Sequence, residues 1–124
     1  MKIEAALLEE PLIQQILVVG QGRKHLAALI VPNPDNLRAE IFGRGIAVTS
    51  REQALVHPAV LELYRARIAE RLQQHPPQEQ LREIALIGRG WTVESGEMTA
   101  SLKLKRRVIE QNFAAEIERL YAGT

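Results

Sequence analysis

Two short apolar runs, Ile16-Leu17-Val18-Val19 and Leu26-Ala27-Ala28-Leu29-Ile30-Val31, flank the tripeptide Gly20-Gln21-Gly22. Aliphatic runs of this length on either side of a glycine-containing turn read as two strands of a β-hairpin. Neither run alternates with polar residues. A strand that is apolar at every position is buried on both faces, so the sheet must lie between layers of helix. The rest of the chain therefore has to supply amphipathic helices for two sides of one small sheet.

The flanking segments meet that demand. Ile3, Leu7 and Leu8 fall at helical spacing, and Pro11 closes that short helix. Pro32-Asn33-Pro34-Asp35 ends the second strand. Asp35 and Asn36 are the candidate N-caps of a helix through Phe42, with Gly43 and Gly45 as its stop. Ser50 and Gln53 have capping-box spacing, and Pro58 suits the first turn of a longer helix. Val60, Tyr64, Ile68 and Leu72 recur every four residues, Leu61 widens that stripe, and Pro76-Pro77 ends it. Ile84-Ala85-Leu86-Ile87 reads as a third strand. Gly88 and Gly90 then open an irregular segment that contains Trp91. From Val108 a last helix runs through Tyr121, with Ile109, Phe113, Ile117, Leu120 and Tyr121 on its apolar face. Interleaved helices and strands predict a small α/β or α+β domain with a short mixed β-sheet. No linker interrupts residues 1–124, so a single domain is expected.

Composition narrows the function classes. Sixteen Lys and Arg against fifteen Asp and Glu leave a net charge of +1, too little for a global field toward nucleic acid or anionic lipid. The absence of cysteine excludes a disulfide framework, thiolate metal ligation and a cysteine nucleophile. No apolar run approaches the roughly 20 residues that span a bilayer. Glu4, Glu9 and Glu10 interrupt any charged-then-apolar leader pattern. A cytoplasmic protein is the expectation. His25, His57 and His75 share no ligand spacing, so no metal site is expected, and His57 before Pro58 reads as a helix cap. Glu94 and Glu97 read as members of an exposed polar loop rather than an acid/base pair. Gly20-Gln21-Gly22 is too short for a phosphate-binding loop and reads as a turn. Lys103, Lys105, Arg106 and Arg107 place four cations within five residues, a density that can pair with phosphates. One nearby aromatic, Trp91, and a nearly neutral remainder argue for a solvated basic face rather than a nucleic-acid surface.

That basic segment belongs to a longer string, Gly96-Glu97-Met98-Thr99-Ala100-Ser101-Leu102-Lys103-Leu104-Lys105-Arg106. It resembles the C-terminal lysine motif of adenylate-forming enzymes, most closely the long-chain fatty-acid–CoA ligase form G-E-L-T-P-T-L-K-L-K-R. Further fragments follow the same order as in that family: Ile3-Glu4, Pro11-Leu12-Ile13, Val18-Val19-Gly20, Gly22-Arg23-Lys24 and Ala27-Ala28-Leu29-Ile30-Val31-Pro32. The resemblance covers nearly the whole chain and implies the mobile C-terminal domain of an acyl-CoA synthetase. Lys103 is then the catalytic lysine of adenylation. Lys105 and Arg106 flank it as contacts for CoA phosphates or for the large N-terminal domain. Fatty acid, ATP with Mg2+, and CoA would be substrates and cofactors of the full-length enzyme, none of them expected on this chain alone. The resemblance also allows peripheral membrane association of the full enzyme. By the family pattern the chain starts just after the hinge, and the glycine-, serine- and threonine-rich phosphate loop belongs to the large domain. One departure stands out: Ala100 and Ser101 lie where the family has a proline, which leaves the lysine loop freer. A stand-alone binding module without catalysis is the alternative from a different class.

Overall fold

The central strands are apolar at successive positions because both sides of the sheet are covered. A computed structural model describes residues 2–122. Its elements are α1 (Lys2–Leu7), β1 (Ile13–Val19), β2 (Leu26–Pro32), α2 (Pro34–Arg44), α3 (Arg51–Val56), α4 (Pro58–Arg71), β3 (Leu81–Leu86), α5 (Arg106–Asn112) and α6 (Ala114–Tyr121). A 3-10 turn, Pro77–Glu79, precedes β3. β1 and β2 form the expected antiparallel hairpin, and β3 pairs with β2 in parallel, giving the order β1-β2-β3. The sheet is therefore mixed, as the sequence predicts.

Side-chain alternation divides the sheet into two cores. Ile16, Val18, Ala28, Ile30, Ile84 and Leu86 face one side, against α1 and α4. Leu17, Val19, Ala27, Leu29 and Val31 face the other, against Trp91 and the C-terminal helices. Of the predicted stripe Val60, Tyr64 and Ile68 are buried in α4 and Leu72 at its C-cap, joined by Leu63, while Leu61 is only partly buried. Polar groups pin these layers. Tyr64 donates to the Leu12 carbonyl at 2.7 Å. The buried Glu10 carboxylate accepts from Arg67 at 3.0 Å and from Arg71 at 3.4 Å.

The hairpin turn depends on one glycine. Gly20 has φ +116°, and a Cβ there would collide with the His25 carbonyl and the Tyr121 hydroxyl. Tyr121 donates to that same carbonyl at 2.9 Å, so the end of α6 is fastened to the turn.

Several boundaries differ from expectation. The N-cap of α2 is Asn33, two residues before Asp35 and three before Asn36. Pro34 occupies the first helical position, which leaves Asn33 extended with its Oδ1 accepting from Asn36 N at 3.0 Å. Gly43 lies inside that helix, and Gly45, with φ +66°, ends it. Ser50 caps α3 through Gln53 N, but the Gln53 side chain returns to Thr49 N rather than to Ser50. His57 caps α4 as expected, its Nδ1 accepting from Ala59 N at 3.1 Å. The last helix begins at Arg106, before Val108, and is divided at Phe113, where φ is −115° and ψ 27°. The break falls where the Phe113 ring meets the edge of Trp91, centroids 6.3 Å apart. Its apolar stripe is nevertheless continuous, with Ile109, Phe113, Ile117 and Leu120 all buried.

Candidate functional site: the lysine hairpin

The segment after β3 would be a wandering loop without cross-bonds, and side chains supply them. The Gln15 amide pairs with both backbone groups of Trp91, donating to its carbonyl at 2.9 Å and accepting from its N–H at 2.8 Å. Trp91 is thereby held in the second core at 2% exposure, where it cannot stack on a nucleic-acid base. Thr92 and Ser95 then exchange hydrogen bonds across a tight turn. Gly96, at φ +78°, reverses the chain into Glu97.

A minimal β-hairpin follows. Met98 and Leu104 form an antiparallel bridge. Thr99 N donates to the Lys103 carbonyl at 2.7 Å, and Lys105 N to the Glu97 carbonyl at 2.8 Å. The tip is a four-residue turn closed by Leu102 N donating to Thr99 O at 2.8 Å. Thr99 Oγ1 also accepts from Lys103 N at 3.0 Å. Leu102 has φ +66° and is 70% exposed, a left-handed conformation that a branched apolar residue adopts only when its surroundings hold it. Lys103 follows directly. It is exposed, and its ammonium makes no hydrogen bond or ion pair among the described residues.

Both ends of the hairpin are clamped. At the first, Glu97 is fully buried. Arg89 meets it through two bonds of 2.7 and 2.8 Å. Ser95 Oγ donates to Oε1 at 2.8 Å, and Asn112 Nδ2 to Oε2 at 2.9 Å. The Arg89 guanidinium holds the Glu97 carboxyl down at about 2, against the opposing effect of burial, with Asn112 and Ser95 assisting. Arg89 also lies over the Phe113 ring, 5.0 Å from its centroid. At the second end, Arg106 donates to the Val18 carbonyl at 2.8 Å and to both Glu4 oxygens at 2.8 and 3.1 Å. Burial raises the Glu4 carboxyl, but bonds from Arg106 and from Val18 N outweigh it, and the group sits below the usual carboxylate range. The paired Ile3-Glu4 thus divides its work: Ile3 enters the core and Glu4 grips the base of the lysine hairpin.

The sequence-derived candidates are therefore brought together unequally. Lys103 and Lys105 present exposed side chains on alternate positions of one hairpin arm, on either side of Leu104. Arg106 is 43% exposed but already bonded inside the domain. Glu97 overturns the reading of an exposed polar loop. Two of its partners, Arg89 and Asn112, lie eight residues before and fifteen residues after it on irregular or helical segments, so no periodicity signals its burial. Glu94 is exposed, as expected. The histidines make separate contacts: His25 stacks on Tyr121 and His75 meets Glu79 at 2.8 Å. A cleft of about 490 Å³ lies elsewhere, between α2 and α3, lined by Leu37, Ile41, Val48 and Leu55 among others, and includes none of these cations.

Comparison with known proteins identifies the family of the chain. The AMP-binding enzyme C-terminal domain family matches residues 1–124. An acyl-activating enzyme of Arabidopsis thaliana chloroplasts is 30% identical over 123 residues, 98% of this chain and 16% of that protein. A long-chain-fatty-acid–CoA ligase of Mycobacterium tuberculosis is 26% identical over 125 residues, 96% of this chain and 20% of that protein. The adenylation domain of a carboxylate reductase from Mycobacterium chelonae superposes with a TM-score of 0.78 at 27% identity, covering 98% of this chain and 17% of that one. The chain thus spans about a fifth or less of the length of these proteins. With the whole chain matched and the fold shared, it belongs to the AMP-binding enzyme C-terminal domain family of the adenylate-forming enzymes.

Proposed function

We propose that this chain is the mobile C-terminal domain of a fatty-acid–CoA ligase and that Lys103 serves its adenylation step. The observation that carries the reading is the Lys103 ammonium, without a partner among the described residues, just after the turn of a hairpin clamped at both ends. In the first half-reaction a carboxylate oxygen attacks the α-phosphorus of ATP. The bond from that phosphorus to the β-phosphate oxygen breaks, and pyrophosphate leaves. Negative charge is redistributed over phosphate and carboxylate oxygens, where an oriented ammonium in a water-poor site is most effective. In the second half-reaction the CoA thiol loses its proton and attacks the acyl carbon, and AMP departs. Reorientation of this domain against a large N-terminal domain would present Lys103 in the first step and withdraw it in the second. Lys105 and Arg106 are proposed contacts for CoA phosphates or the partner domain, Arg106 from the edge left exposed beside Glu4.

No group of three or more His, Asp or Glu that could hold a metal stands together among the described residues. Mg2+ would enter with ATP as part of the full-length enzyme's substrate. The long-chain acyl substrate is proposed from the relatives, and a cytoplasmic setting from composition. No helix among the described residues is long and apolar enough to cross a membrane. The test is acid-dependent ATP–pyrophosphate exchange by the full-length enzyme that carries this domain, with palmitate as the acid. Exchange that is lost on Lys103→Ala supports the reading. Undiminished exchange in that variant contradicts it.

A further inference from the structure

Resting on that reading, we propose that Glu97 is a positioning residue for Lys103: its buried carboxylate, clamped by Arg89, Ser95 and Asn112, fixes the base of the hairpin that carries the lysine.

The geometry supports this in three ways. The carboxylate gathers three separate chain segments: Arg89 just after β3, Ser95 in the following turn and Asn112 on α5. The backbone of the same residue is held on both sides. Its N–H donates to Thr92 O at 3.2 Å, and its carbonyl accepts from Lys105 N at 2.8 Å. The Glu97–Lys105 and Thr99–Lys103 hydrogen bonds are successive rungs of one hairpin, so the placement of Glu97 is passed to Lys103 through a single intervening pair, Met98 and Leu104. No group among the described residues bonds the lysine side chain itself, so its position follows from the backbone of the hairpin.

Stability alone does not account for such a residue. Glu97 is buried while the Arg89 side chain keeps 53% exposure, and a carboxylate that must leave water to meet such a partner is seldom more stabilising than an apolar side chain of the same volume. What it provides is a single geometry, since both oxygens and the planar guanidinium accept only one mutual orientation. An apolar residue at position 97 would bury equally well but would let the hairpin base slide. Errors of about 1 Å in the placement of a reacting group cost up to about a hundredfold in rate.

The experiment uses the full-length enzyme and measures two rates separately: single-turnover acyl-adenylate formation, and thioester formation from synthetic acyl-adenylate and CoA. Glu97→Gln keeps the shape and one acceptor oxygen but loses the charge pair with Arg89. It is expected to slow adenylation about 10- to 100-fold and to leave thioester formation within about twofold. Because Glu97 acts through the lysine, Glu97→Gln combined with Lys103→Ala should be no slower than Lys103→Ala alone. Asn112→Ala, which removes one bond from an exposed side chain, should slow adenylation by a smaller factor and carries the same test if Glu97→Gln does not fold. Normal adenylation in the folded position-97 or position-112 variants, equal slowing of both half-reactions, or full multiplication of the two effects in the double variant would overturn the inference. Normal adenylation in Lys103→Ala would instead remove the lysine reading on which the inference rests.

Discussion

Ala100 is the second residue of the turn that closes from Thr99 to Leu102. Proline favours that position because its ring sets the φ such turns require. The Ala100 N–H donates to no group among the described residues, so a proline there removes no hydrogen bond. Ala100→Pro is therefore expected to raise stability by about 0.4–1 kcal/mol, chiefly by restricting the unfolded chain. Denaturant melts check it, and a loss of stability would mean that the turn excludes proline's φ. Glu97 offers a second residue-level test through pH. Its folded pKa of about 2 lies below the ordinary 4.5. A depressed carboxylate contributes stability that is present above the unfolded value and is lost as pH falls through the folded one. Wild type should lose stability between pH 4.5 and 2 more steeply than Glu97→Gln, and parallel profiles would show that Arg89 does not favour the ionised form. Lys103 and its neighbours were legible as a linear string. The left-handed Leu102 and the burial of Glu97 were not, because the first is set by the hydrogen bonds of its turn and the second by partners on other segments, Arg89 and Asn112.

Among the elements, the strands were the most legible. Apolar runs without alternation implied cover on both faces, and the two cores of the sheet are that cover. Helix faces were legible for the same reason: Val60, Tyr64 and Ile68 keep a period close to four. Helix ends were less so, since Pro34 shifts the cap to Asn33 and Phe113 divides the last helix without any proline or glycine to mark the break. Phe113 is the element-scale test of the packing. It is buried against Trp91 and beneath Arg89, so Phe113→Ala should cost about 3–5 kcal/mol. A cost below about 1 kcal/mol in denaturant melts would place the C-terminal stripe outside the core. The parallel pairing of β3 with β2 follows from the long helical crossover between them, but the sequence carries no mark of which edge β3 takes.

At the scale of the whole molecule, the proposed function makes this domain the carrier of the Lys103 ammonium. Two ion-pair clamps join the hairpin to opposite parts of the fold: Glu97–Arg89 to the segment after β3, and Arg106–Glu4 to α1 and β1. On that proposal the chain alone offers ATP a lysine and, among the described residues, no phosphate-cradling loop, so it should form no acyl-adenylate from ATP and palmitate. Calorimetry should find no binding near physiological ATP concentration, and micromolar affinity would relocate the nucleotide site to this domain. The division of labour between half-reactions is the central claim, and Lys103→Ala in the full-length enzyme tests it most directly. Acyl-adenylate formation should fall by about two to three orders of magnitude, while thioester formation from supplied acyl-adenylate and CoA continues at a near-normal rate. Lys105→Ala should be milder in both steps. Equal damage to both half-reactions by Lys103→Ala, or a larger adenylation defect from Lys105→Ala, would contradict the assignment of Lys103.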